Sequence, residues 1–195
     1  DKDVFKLQNK KIKFNFNKNN CYLINVSRFS EYKGQMDILK ATNELFTKYQ
    51  NLRLILIGYG EYKKNLLNFI KDNNLDKKVF IIDNCSNPYP YIKKSNLFIF
   101  ASSYEGFPNV LVEALMLNTP VISSKCKSGP NEILMGGKGG DLYQTKNYKQ
   151  LKVMIENFIK NSKKLKKKMK FGKKQLWKFS LAKHIKIYNK ILSKI

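Results

Sequence analysis

The chain is poor in the residues on which much protein chemistry depends. Its 195 residues include one histidine, one tryptophan and three cysteines. Cys21, Cys85 and Cys126 are an odd set without Cys-x-x-Cys spacing. That argues against a disulfide framework and a cysteine zinc site, and it fits a reducing cytoplasm. The lone His184 stands between Lys183 and Lys186 near the end of the chain, where packing or exposure suits it better than catalysis or metal ligation. Acid is scarce too, with 14 Asp and Glu against 38 Lys and Arg for a formal net charge of +24. Asp1-Lys-Asp3 has the spacing of a DxD metal motif, but no apolar strand precedes it, so no metal is assigned. Arginine is almost missing, with only Arg28 and Arg53. Clustered lysine attracts any polyanion, yet reading bases relies on arginine forks, and no helix-turn-helix or RRM-type string occurs. A basic polyanion- or nucleic-acid-binding module therefore stands as an alternative. No apolar run of about 18 residues exists to cross a membrane, and the first residues do not read as a signal peptide.

What is present suffices for a folded domain. Hydrophobic residues make up 43% of the chain, enough to build a core at this length. Strand-like runs at 22–27, 52–57, 77–82, 96–100 and 120–124 alternate with amphipathic stretches at 35–50, 62–73, 89–94 and 108–118. That alternation predicts an α/β fold, a Rossmann-like parallel sheet flanked by helices. Residues 21–160 form the expected domain, 1–20 an interdomain connection or edge strand, and 161–195 a basic helical tail. In that tail Leu165, Met169 and Leu176 recur near helical spacing among lysines, which predicts an amphipathic helix. Gly136-Gly-Lys-Gly-Gly140 lacks the outer Gly and the Ser or Thr of a P-loop. Gly58-Tyr-Gly60 lacks the third Gly of the dinucleotide fingerprint, which leaves an NAD-binding Rossmann domain as a weaker alternative.

The segment 101–117, Ala-Ser-Ser-Tyr-Glu-Gly-Phe-Pro-Asn-Val-Leu-Val-Glu-Ala-Leu-Met-Leu, carries the chemistry. Pro108 suits a first helical position because its missing N–H would be unpaired there anyway. The helix behind it is apolar on every face, and Glu113 is its only charge. An unpaired buried carboxylate is costly, so Glu113 needs a donor or a cleft edge. The helix start and Glu105 follow a strand, at the carboxyl end of a parallel sheet where open α/β folds bind ligands, and free N–H groups there favour a phosphate.

Glu105-x7-Glu113 with Gly106-Phe107-Pro108 resembles the donor-site motif of retaining GT-B glycosyltransferases of the family-4 type. Arg28-Phe-Ser-Glu-Tyr-Lys-Gly34 resembles the same family's diphosphate-binding segment, Leu52 to Gly60 its strand and Gly-x-Gly step, and Pro120-Val-Ile its later strand. Ser128-Gly-Pro-Asn-Glu-Ile-Leu134 is similar to the branch that builds bacterial surface or lipid-linked glycans. The resemblance covers about residues 21–143, and its order is that of the second, donor-binding half, which implies a fragment lacking the acceptor half. It implies that Arg28 and Lys33 clamp the diphosphate and stabilise the leaving nucleotide. It implies that Glu105 meets the donor sugar, assisted by backbone at Gly106, Phe107, Pro108, Asn109 and Val110, and that Glu113 accepts from ribose hydroxyls. Gly58, Gly60 and Asp83 fall where the family holds the nucleotide, although Asp83 replaces the family's usual Gly. The implied reaction transfers a hexosyl or N-acetylhexosaminyl group from a nucleotide-sugar, a UDP-sugar, to a glycan or lipid-linked acceptor by a front-face route without an enzyme nucleophile. No metal or other cofactor is implied, because Arg28 and Lys33 neutralise the phosphates. The implied place is the cytoplasm, with a basic helix suited to an anionic membrane surface.

Overall fold

The computed structural model describes residues 2–192. Asp1 and residues 193–195 lie outside the described residues, as do the side chains of Asp3 and His184. With them lie the expectations for the Asp1-Lys-Asp3 run, for His184 and for the end of the last helix.

A short helix α1 (Lys2–Leu7) and an irregular stretch lead into β1 (Cys21–Val26). Then follow a 3₁₀ turn (Glu31–Lys33), α2 (Gln35–Phe46), β2 (Leu52–Ile57), α3 (Lys63–Asp72), β3 (Val79–Ile82), α4 (Tyr89–Lys94), β4 (Leu97–Phe100), α5 (Asn109–Met116), β5 (Val121–Ser124), α6 (Pro130–Ile133) and β6 (Asp141–Tyr143). The chain closes with α7 (Tyr148–Lys160), α8 (Lys163–Gln175) and α9 (Leu181–Leu192). All strand pairings are parallel, in the order β3-β2-β1-β4-β5-β6. Chain order reverses between β1 and β4, which opens a crevice at their carboxyl ends.

Both faces of the sheet are buried, and the strand sequences show why. Consecutive residues point to opposite sides of a strand. Leu23 and Leu54 join Ile38, Leu39, Leu45 and Ile155 under α2 and α7. Their neighbours Ile24 and Ile55 join Leu111, Leu115 and Met169 under α5 and α8. Such strands read as continuous apolar runs because neither face meets water.

Several boundaries differ from those the sequence implies. Among the described residues, 2–20 form no edge strand: Phe14 and Phe16 lie edge-on to Tyr22 at centroid distances of 5.9 and 4.7 Å. Pro108 precedes α5, its ψ of 90° still extended, and Asn109 is the first helical residue. At the other end Asn118, at φ 61°, turns the chain out of the helix. The start of the basic tail at residue 161 agrees with the sequence, because α7 ends at Lys160. Asn161 closes α7 and its Oδ1 accepts the Lys163 N–H at 3.0 Å, so α8 starts afresh.

Candidate functional site

The loop after β1 is held by a relay of buried polar groups. Gln35 Nε2 donates to the Arg28 carbonyl and to Ser27 Oγ, both at 2.8 Å. Ser27 Oγ donates to Asn25 Oδ1 at 2.9 Å, and Asn25 Nδ2 donates to the Ile99 carbonyl of β4 at 2.9 Å. A chain of hydrogen bonds among buried polar groups favours one geometry. Two atoms in the same loop stay open: Ser30 Oγ and Gln35 Oε1 are buried without a partner. Leaving a buried acceptor unmet costs about 1–3 kcal/mol.

The loops after β1 and β4 meet through charge. Lys33 Nζ is paired with Glu105 Oε1, each side chain only 16% exposed. Ser102 Oγ donates to the same carboxylate oxygen at 2.9 Å. Gly34 permits this approach. It stands at φ 71°, and a Cβ there would lie 2.3 Å from the Ala101 carbonyl oxygen. The Ser103 N–H donates to the Tyr32 carbonyl at 2.8 Å, a second tie between the loops. Burial, then the nearby Glu105 charge, pushes the Cys126 thiol up from its ordinary value, which sets that half-buried carboxylate against the β5 side of the crevice.

A third wall comes from the ends of β2 and β3. The β1 and β2 loops extend the ladder beyond the strands, with the Phe29 N–H donating to the Tyr59 carbonyl at 2.7 Å. Glycine is required at both positions below. A Cβ on Gly58 would lie 2.0 Å from the Ser27 carbonyl oxygen, and one on Gly60, at φ 144°, 2.3 Å from that of Phe29. Between the three strand ends lies a cavity of about 430 Å³ whose lining includes Ser27, Arg28, Gly58, Tyr59, Asn84 and Cys85. Arg28 is exposed there and reaches Glu61 at 3.4 Å. Asp83 follows β3 directly, but its carboxylate is paired with Lys63.

Glu113 lies one helical stretch beyond Glu105, half-buried on α5. Burial raises its carboxyl above the ordinary range, and a hydrogen bond from Tyr89, the first residue of α4, opposes that rise. The carboxylate the sequence required to have a donor thus has one. Phe107 is exposed, its ring 5.3 Å from that of Phe179. Gly106 has open space around it, whereas Gly129, at φ 82°, sits where a Cβ would press on Pro108 and the Gly106 carbonyl. Asn109 and Val110 open α5.

The fold therefore brings Lys33 and Glu105 into contact and puts Arg28 and Gly58 at one cavity. Asp83 turns to Lys63, and the cavity wall after β3 is Asn84, Cys85 and Ser86 instead. Sequence reasoning also missed Gln35, Ser102 and Tyr89. Of these, only Gln35 carried a signal, a polar residue opening an amphipathic helix after Gly34.

This arrangement can be set beside known proteins. The family model for glycosyl transferases group 1 matches residues 7–175. The chain belongs to that family. An uncharacterized glycosyltransferase of Methanocaldococcus jannaschii is 42% identical over 120 residues, 62% of this chain and 30% of the relative. A Campylobacter jejuni N-acetylgalactosamine-N,N'-diacetylbacillosaminyl-diphospho-undecaprenol 4-alpha-N-acetylgalactosaminyltransferase is 34% identical over 140 residues, 70% of this chain and 38% of the relative. Among solved structures, HepE of Anabaena in complex with UDP superposes with a TM-score of 0.81 at 22% identity, over 91% of this chain and 50% of that one. The C-terminal domain of a group 1 glycosyl transferase, LpcC, from Francisella tularensis superposes with a TM-score of 0.74 at 24% identity, over 84% of this chain and 89% of that one. The fold is thus the C-terminal half of a GT-B glycosyltransferase, and the chain spans about a third of the length of these two sequence relatives.

Proposed function

We propose that this glycosyltransferase domain binds the donor, a nucleoside diphosphate sugar of the UDP type, for retaining transfer to a glycan or lipid-linked acceptor. The observation that carries the reading is the Lys33–Glu105 pair, which joins the loops after β1 and β4 across the point where chain order reverses. In this reading Lys33 moves from Glu105 to the diphosphate while Arg28, exposed at the cavity, leaves Glu61 for the same phosphates. The two cations neutralise the leaving nucleotide without a metal. Glu105, freed, accepts from the donor sugar, and Glu113 accepts from the ribose. The Asn84–Ser86 wall and Tyr59 take the nucleobase. Support comes from relatives: the HepE structure holds UDP, and the Campylobacter relative is named for transfer to a diphospho-undecaprenol acceptor. The enzyme acts at the cytoplasmic face of the membrane that carries such an acceptor. No described helix is long and apolar enough to cross a membrane.

Calorimetric titration with UDP, GDP, ADP, their sugars, NAD and duplex DNA tests the reading. UDP and a UDP-sugar are expected to bind at one site and NAD not at all. Saturable NAD binding, or DNA binding with no nucleotide site, would overturn it.

A further inference from the structure

Glu156 is the last acidic residue of the sequence, and fourteen lysines follow it. Eight of them crowd into α8, Lys-Lys-Leu-Lys-Lys-Lys-Met-Lys-Phe-Gly-Lys-Lys-Gln. The helix is firmly seated. Leu165, Met169 and Gly172 are buried on one side. Gly172 lies so close to Gly139 that a Cβ on it would meet the Gly139 carbonyl oxygen at 2.9 Å. Lys168 reaches Asp141 of β6 at 2.6 Å, and Lys173 donates to Asn118 Oδ1 at 2.8 Å. These contacts leave Lys163, Lys164, Lys166, Lys167, Lys170 and Lys174 exposed on a rigid helix.

An apolar side chain stands within this basic face. Phe171, 41% exposed, follows Lys167 by one helical turn and precedes Lys174 by another. Beside it a shallow depression of about 540 Å³ is lined by Phe171, Lys164, Lys167, Lys138 and the backbone of Gly136 and Gly137. Both glycines have positive φ, 64° and 94°, and nothing lies within 4 Å of where a Cβ would stand, so their backbone is open.

We propose that this corner, the outer face of α8 with the Gly136–Lys138 turn, docks on an anionic lipid bilayer. Lysine ammonium groups would sit among lipid phosphates, and Phe171 would enter the acyl boundary. Helices that bind such surfaces combine a lysine-rich face with an inserted aromatic. A duplex polyanion, its bases stacked inside, would use the lysines but offers no apolar layer for Phe171; single-stranded nucleic acid, whose bases stack on aromatic rings, is separated from a bilayer by the test below. Nucleic acid recognition also favours arginine, and this face has none. The inference is independent of the donor site, because none of these residues belongs to the crevice between β1 and β4.

The test is sedimentation of the full chain with vesicles of phosphatidylcholine alone or with added phosphatidylglycerol, UDP binding being followed in the same samples. Binding is expected only with phosphatidylglycerol and is expected to fall with salt. At about fivefold per lysine charge at an anionic surface, the Lys164→Gln/Lys167→Gln variant is expected to bind about 25-fold more weakly. Phe171→Ser is expected to weaken vesicle binding and leave the binding of duplex and single-stranded DNA unchanged, and a larger loss with single-stranded DNA than with vesicles would mark a base-stacking surface and overturn the proposal. Lys71→Gln/Lys77→Gln, at exposed positions beside the opposite edge of the sheet, removes the same charge and is expected to matter much less. Equal losses from the two double variants, or indifference to Phe171→Ser, would reduce the surface to a diffuse charge and overturn the proposal. So would failure to bind phosphatidylglycerol vesicles while UDP still binds.

Discussion

Glu113 is held in a conflict that experiment can expose. Burial raises its carboxyl, so the folded protein binds a proton there more readily than the unfolded chain. Its contribution to stability is therefore complete below the unfolded value and is lost as pH rises through the folded one. Glu113→Gln is expected to melt higher than the parent at neutral pH and at the same temperature in acid. The same change is expected to weaken UDP binding by about 1–3 kcal/mol, the range for hydrogen bonds to a charged acceptor. Parallel melting and calorimetry check both signs, and a variant that binds UDP as the parent does would remove the ribose assignment. Arg28 and Lys33 make a different prediction. Because their proposed partner is phosphate, Arg28→Ala and Lys33→Ala are expected to weaken UDP binding far more than uridine binding. Equal losses for the two ligands would place these cations elsewhere. The charged residues of the site were legible because each breaks its surroundings: Glu113 is the one charge in an apolar helix, and Glu105 sits in a Gly-Pro loop after a strand. Residues such as Ser102 and Asn84 were not legible, since a serine or asparagine in a loop reads as ordinary turn chemistry until its partner is known.

At the scale of elements, the sheet was readable because a strand buried on both faces must be an unbroken apolar run. Parallel pairing also forces the helical crossovers that separate those runs. The sixth strand escaped because Asp141-Leu-Tyr143 is three residues long, too short to show a period, and it forms only because β5 offers an open edge. The limit between α7 and α8 falls where the sequence began the basic tail, at residue 161, although lysine favours helix on both sides and only the Asn161 turn separates them. How α7 is fastened to the turn after α2 leads to a third prediction. Hydrogen bonds from Lys48 and Lys160, with that of Tyr49 at 3.1 Å, hold Glu156 at a pKa of about 2. A depressed carboxyl lends stability that is complete above its unfolded value and lost as pH falls through the folded one. Glu156→Gln is expected to lower the melting temperature at neutral pH by an amount that shrinks between the ordinary carboxylate range and about pH 2. A difference constant over that span would mean the three donors contribute through packing and not through the charge.

At the scale of the whole molecule, the crevice proposed to take the donor is open on one side. The loops after β1, β2, β3 and β4 converge on one end of the sheet, yet the crevice between them is open to solvent, and Arg28 remains 61% exposed along its side chain. Elsewhere α9 carries Leu181, Ile185 and Leu192 at 76, 49 and 65% exposure, an apolar stripe that the described residues of this chain leave uncovered. Phe5, Phe107 and Trp177 border a further depression of about 380 Å³. Exposed apolar surface of this extent marks a place where another surface packs, and the matched segments are 30% and 38% of the two relatives' length. Group transfer depends on holding two reactants in line and on keeping water from the reacting carbon. In the proposed reading Arg28 and Lys33 meet a diphosphate and Glu105 and Glu113 a sugar and a ribose, while among the described residues no second surface faces these groups across the crevice to orient an acceptor. The chain alone is therefore expected to bind UDP weakly at one site and to give no measurable transfer from a UDP-sugar to added acceptors. A longer chain containing it, with an acceptor-binding half, is expected to do both, with tighter donor binding as the crevice closes. Assaying the two side by side with a radiolabelled UDP-sugar decides the matter, and rapid transfer by the shorter chain would show that one such domain suffices.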